Sequence, residues 1–172
     1  MASFDSVNYS LRPSKSVQRG LVFEGLRAVS NAVDLSNSVY IGFGSIWFTD
    51  FVMAHKVLNI DDMVSIEANE IGFRRAVFNK SYRTITMMHG LSQEKLPELL
   101  LLPGYMARPW IVWLDYDSAL NEGVVQDFQW VLNNAPPNSI CLFKFSATQN
   151  AYGDKPIHRP ARIEVVAEFR TS

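Results

Sequence analysis

Along this chain the apolar positions switch between a helical repeat and short unbroken runs, and each switch marks an element. Behind an arm ending at Pro13, Ser14 is placed to cap a helix. Val17, Leu21, Val22, Leu26, Val29 and Val33 then recur at helical spacing on one face. Ser38-Val39-Tyr40-Ile41 reads as a first strand running into Gly42-Phe43-Gly44-Ser45, and Ile46 to Leu58 as a helix. A second strand, Met63 to Ile66, ends at Glu67, and a helix follows from Glu70 to Asn79. Thr84 to Met88 is a third strand, stopped by His89-Gly90. Ser92 then caps a helix reaching Leu101, with Glu94 near its positive end. Trp110 to Leu114 is a nearly continuous apolar run ending in Asp115-Tyr116-Asp117, as expected of a strand covered on both faces. Leu120 to Leu132 is helical by periodicity. Ile140 to Phe145 is a fifth strand, entered through the turn Pro136-Pro137-Asn138. The polar stretch from Gln149 to Pro160 reads as a loop and Arg162 to Phe169 as a last strand.

Strands separated by helices imply right-handed βαβ crossovers. The expected fold is α/β, a three-layer Rossmann-like domain with a mostly parallel central sheet. An N-terminal arm spans 1–13 and the domain 14–172. Only 27 residues follow Phe145 in a chain of 172, which fits one further strand comfortably and two tightly. At this length one domain buries a sizeable core without disulfides or a structural metal. With 48% hydrophobic residues the chain is globular rather than disordered. A net charge of -1 gives no global attraction for nucleic acid or an anionic membrane. A single cysteine, Cys141, gives no sign of an oxidising compartment. The opening residues have no apolar signal-peptide core, and no run is long enough to span a membrane. A cytoplasmic location is expected.

In open parallel sheets ligands bind beyond the carboxyl ends of the strands, which selects the residues to weigh. Gly42 and Gly44 follow the first strand, Glu67 the second, and Asp115, Tyr116 and Asp117 the fourth. Each has a plain reading: a simple turn for the glycines, a solvated strand end for the acid. Their order on successive βα units describes a nucleoside cleft with an acid for the sugar hydroxyls. Arg12, Lys15 and Arg19 cluster at the first helix, as a clamp for phosphate or carboxylate or as a solvated face. His89 is the one histidine at a strand end and the one candidate acid or base among the three. No metal-ligand spacing, GxSxG or P-loop occurs, so no metal is expected. Trp47 and Tyr116 flank the two ligand loops; most other aromatic residues are core material.

Taken in order, Tyr40-Ile41-Gly42-Phe43-Gly44-Ser45, Glu67, His89-Gly90 and Leu114-Asp115-Tyr116-Asp117 resemble the motifs of class I S-adenosylmethionine-dependent methyltransferases. The opening Asn8 to Lys15, together with YIGFGSIWFTDF and WLDYD, is similar to bacterial proteins labelled O-methyltransferases, some of them in anti-phage defence neighbourhoods. The resemblance spans about residues 8–145. It implies S-adenosylmethionine as cofactor, with Gly42 and Gly44 under its methionine and ribose parts and Glu67 on the ribose hydroxyls. It places His89 to Leu91, Gly90 included, beside the adenine. Asp115, Tyr116 and Asp117 face the methyl group and the acceptor, with Asp115 or Asp117 as base. The chain departs from the family pattern at Tyr40, where an acid is usual, and at Ile46, where a third glycine is usual and a β-branched residue crowds the helix entry. Two other readings stay open: a subunit that has lost the chemistry and serves as sensor or assembly partner, and a nucleotide-processing enzyme holding a divalent metal on Asp115 and Asp117. The acceptor, small molecule or nucleic acid, is not legible, and a protein partner or homo-oligomer is left open. No membrane partner is expected.

Overall fold

The computed structural model describes residues 13–44 and 46–147. Among the described residues five strands make one sheet: β1 (Val39–Gly42), β2 (Met63–Glu67), β3 (Ile85–His89), β4 (Trp110–Ala119) and β5 (Ile140–Ser146). Their order is β3-β2-β1-β4-β5, and every pairing is parallel. The order reverses between β1 and β4, so the crevice for a ligand opens above those two strands. This is the α/β Rossmann-like arrangement that the alternation of runs implies.

The two sheet faces bury separate cores, because side chains alternate along each strand. Tyr40, Met63, Ile85, Ile111 and Trp113 face one side and pack with Phe23, Leu26, Phe51, Ala54 and Leu58. These last five belong to α1 (Pro13–Ser30) and α2 (Thr49–Leu58). On the same side α3 (Glu70–Asn79) contributes Ala76. Val39, Ile41, Val64, Ile66, Trp110, Val112 and Leu114 face the other side. They meet Leu96, Leu99 and Tyr105 from the segment around α4 (Ser92–Lys95), and Val131 from α5 (Glu122–Asn134). Among the described residues no helix is long and apolar enough to cross a membrane.

Several elements differ from their sequence reading. α3 has the expected bounds, started by Asn69, whose side chain accepts from the Gly72 N–H at 2.9 Å. α1 buries Arg19, Phe23 and Leu26, while Val17 and Leu21 are more than half exposed, so the apolar face read from spacing is largely outward. Val33 lies past its end, and Ser14 lies inside it rather than capping it. The helix expected from Ile46 begins only at Thr49, because Phe48 adopts a left-handed conformation (φ 47°, ψ 31°) that ends the loop. The helix expected from Ser92 to Leu101 is a single α-turn followed by a 3-10 turn over Pro97–Leu101. Pro97 lacks the N–H that would continue the α-helix. Ser92 is not the cap: it is the first helical residue, and the Glu94 carboxylate accepts from the Leu91 N–H at 3.3 Å instead. β4 does not stop before the acidic motif but runs through it to Ala119. The loop and strand expected after Gln149 lie outside the described residues.

Candidate functional site

Beyond the carboxyl ends of β1, β2 and β4, two cavities meet at a common wall of Phe43, Glu67, Asp115 and Asp117. The larger, about 410 Å³, lies between the end of β2, the β3–α4 turn and the start of α5. That volume is within the range of small-molecule sites. The smaller, about 90 Å³, extends toward α1 and α2 and is lined by Lys15, Arg19, Gly44 and Asp50 among others. The end of β4 is bent to serve both. Its ladder pairs Asp115 with Lys144 and next Ala119 with Ser146, so between those pairs three residues on β4 oppose one on β5. Such a bulge lifts Tyr116, Asp117 and Ser118 out of regular pairing beside the crevice.

Glu67 closes β2 at the junction of the cavities. Its Oε1 accepts from the Asn69 N–H at 2.8 Å, which fixes the carboxylate and leaves the group further acceptor capacity. Burial pushes its pKa up, opposed by the N–H groups of Asn69 and Ala68 and by the nearby His89. Around it the larger cavity offers apolar walls from Ile66, Leu91 and Val124 and polar edges from Ser92 and Gln93. Such a lining suits a nucleoside: a carboxylate to accept from paired hydroxyls, and apolar walls edged by hydrogen-bonding groups.

The other candidates fall in several places. Gly44 lines the smaller cavity but is fixed by packing: its N–H donates to Ser65 Oγ at 3.1 Å, and a Cβ there would sit 2.1 Å from that oxygen. Gly42 ends β1 against Trp113 and lines neither cavity. Gly90 lines the larger one with φ +146°, where a Cβ would also meet Lys95 at 2.5 Å. His89 ends β3, exposed, its ring 4.9 Å from that of Phe73, and lines neither cavity. Asp115 is committed: Oδ2 accepts from Lys15 at 3.4 Å and Oδ1 from Lys144. Asp117 is exposed on the common wall. Lys15 and Arg19 do share a face, but as ion-paired groups, Arg19 with Asp50 and Lys15 with Asp115. Burial, then Lys144, lowers the Lys15 pKa. Arg12 lies outside the described residues. Trp47 is exposed and lines neither cavity.

The sequence profile of a family described as "Putative O-methyltransferase" matches residues 7–171. The chain belongs to this family. No curated protein matches it.

In this O-methyltransferase-family chain the two departures have structural accounts. Tyr40, where an acid is usual, is 1% exposed and stacks edge-on to Phe51 at 5.0 Å, so its phenol belongs to the core. Asp50, on α2, lines the smaller cavity and is paired with Arg19. Burial raises the Asp50 pKa despite that partner. Ile46 does not crowd a helix start, because α2 begins three residues later. Metal binding between Asp115 and Asp117 is disfavoured by the two ammonium groups already held on Asp115. Sequence reasoning missed Asp50, Lys144, Gln93 and Asp127. Asp127, on α5, is 1% exposed, and its Oδ2 accepts from Ser92 Oγ at 2.5 Å, Gln93 Nε2 at 2.8 Å and the Tyr116 hydroxyl. Tyr116 is thereby turned toward α5, and burial and then Asp127 push its pKa far up, keeping it a donor. An acid inside an amphipathic helix is ordinarily solvated, so nothing in the pattern singles Asp127 out.

Proposed function

We propose that the chain binds S-adenosylmethionine in the larger cavity and methylates a hydroxyl of an acceptor reaching the common wall. The observation that carries this reading is the position of Glu67, fixed at the end of β2 with acceptor capacity left at the junction of both cavities. Membership of an O-methyltransferase family supports the reaction class. When bound, the cofactor supplies an electrophilic methyl group on a sulfonium. The chain's part is binding, alignment and handling of one proton. Glu67 accepts from the ribose hydroxyls. Phe43, whose ring stands edge-on to Tyr116 at 5.0 Å, forms the partition between the two cavities. Asp117, exposed on the common wall, orients the acceptor hydroxyl and takes its proton. Asp115 instead holds Lys15 and Lys144 at the cavity edge.

Parallel calorimetric titrations with S-adenosylmethionine, S-adenosylhomocysteine, ATP and NAD test this. Micromolar binding confined to the first two is expected. Silence from both, or preferential binding of ATP or NAD, overturns it.

A further inference from the structure

We propose that the outward face of α3 docks on an anionic lipid surface, with Ile71 and Phe78 entering its apolar zone and Arg74 and Arg75 meeting the lipid phosphates. The inference is independent of the nucleoside reading, since none of these four residues lines either cavity. α3 packs on β2 and β3 and buries Gly72 and Ala76. β3 is the last strand on its side of the sheet, so the helix stands at a corner of the described fold with its other face turned out. Ile71 and Phe78 are two helical turns apart and lie in one row along that face. They are 59% and 90% exposed, and among the described residues no large apolar side chain is more open than Phe78. Helical spacing sets Arg74 and Arg75 between them, one on each flank, and both are exposed.

The chain carries a net charge of -1, but residues 70–83 hold Arg74, Arg75, Lys80 and Arg83 against the single acid Glu70. The expectation of no membrane partner rests on whole-chain charge and on the length of apolar runs, and neither registers a local patch. Glu70 is paired with Arg74 at 2.5 Å, and Lys80 donates to the Ile85 carbonyl at 3.2 Å, while Arg75 and Arg83 are exposed. A ridge of apolar side chains between cations suits a plane that is apolar within and anionic at its rim. The arginine stems can lie along the apolar zone while their guanidinium groups stay at headgroup level. A nucleic-acid strand is matched less well. One ring gives one stacking platform, Ile71 gains nothing, and a convex helix face forms no channel for a backbone.

The full chain is mixed with vesicles of phosphatidylcholine alone or with about one third phosphatidylglycerol, and bound protein is read by co-sedimentation at low and high salt. Binding to the anionic vesicles, weak on the neutral ones and released by salt, is expected. Phe78→Ser should weaken it about ten-fold or more and Arg75→Gln roughly five-fold, while Phe78→Trp, which keeps a ring suited to the interface, retains it. Both positions are exposed, so each variant is expected to melt as the native chain does. No binding to anionic vesicles, equal binding to neutral ones, or binding unchanged in Phe78→Ser overturns the proposal. A single-stranded oligonucleotide that displaces the vesicles, or a dimer that Phe78→Ser dissolves, overturns it in favour of a nucleic acid or a second copy of the chain. None of these outcomes bears on the S-adenosylmethionine reading, which the calorimetric titrations decide separately.

Discussion

Asp127 carries a carboxyl group where almost none of it meets water, and burial pushes its pKa up against the donors Ser92, Tyr116 and Gln93. Between the ordinary value of 3.8 and the raised one, the folded chain holds the proton more tightly than the unfolded chain. Lowering the pH through that window therefore stabilises the fold through this group, and raising it removes the contribution. The stability of the native chain relative to Asp127→Asn, measured by urea unfolding, is expected to rise as pH falls from neutral to about 4. A difference that is flat with pH would mean that Asp127 titrates normally. Arg19 and Asp50 pose the opposite problem, a pair with side chains only 10% and 13% exposed. Arg19→Met alone leaves a buried carboxyl without its partner and is expected to cost about 3–5 kcal/mol. Arg19→Met with Asp50→Leu should recover most of that in the same unfolding assay. Spacing places Lys15 and Arg19 on one face, but the sequence gives no hint that Asp50, 31 residues away, holds Arg19 inside.

At the scale of elements, the turn after β1 is pressed onto β2. A methyl group at position 44 would lie 2.1 Å from Ser65 Oγ and 2.8 Å from the Phe48 ring. Phe48 is buried and left-handed, so it yields little. Gly44→Ala is expected to destabilise the chain by about 1–3 kcal/mol, read as a lower urea midpoint with unchanged slope. This glycine serves close packing of the loop, a role that a Gly-x-Gly pattern cannot separate from ligand contact. Strands were legible because those buried on both faces write long apolar runs, as in Trp110 to Leu114. The face of α1 was not, because exposed Val17 and Leu21 share the helical repeat with buried Leu26. A periodicity count cannot tell which valine meets the sheet. Pro97 stands openly in the sequence, and its effect on α4 follows from proline's missing N–H.

Over the whole molecule, the strand order puts the functional acids where the sheet reverses. β1 and β4 are neighbours, yet their crossovers leave to opposite faces, and the crevice between them exposes Glu67 on one side and the β4 bulge on the other. The alternation of runs makes that architecture legible, and with it Glu67 and the Asp115-Tyr116-Asp117 motif. What the sequence does not write is which of these acids is already engaged. Lys144 reaches Asp115 from β5, through a strand pairing that exists only once the sheet has formed. The most direct test of the account is the affinity of S-adenosylhomocysteine for the native chain and for Glu67→Ala. Micromolar binding weakened about ten-fold or more by the substitution is predicted, from the loss of hydrogen bonds to a charged acceptor. Binding that is undiminished in Glu67→Ala, or absent from the native chain, would contradict it.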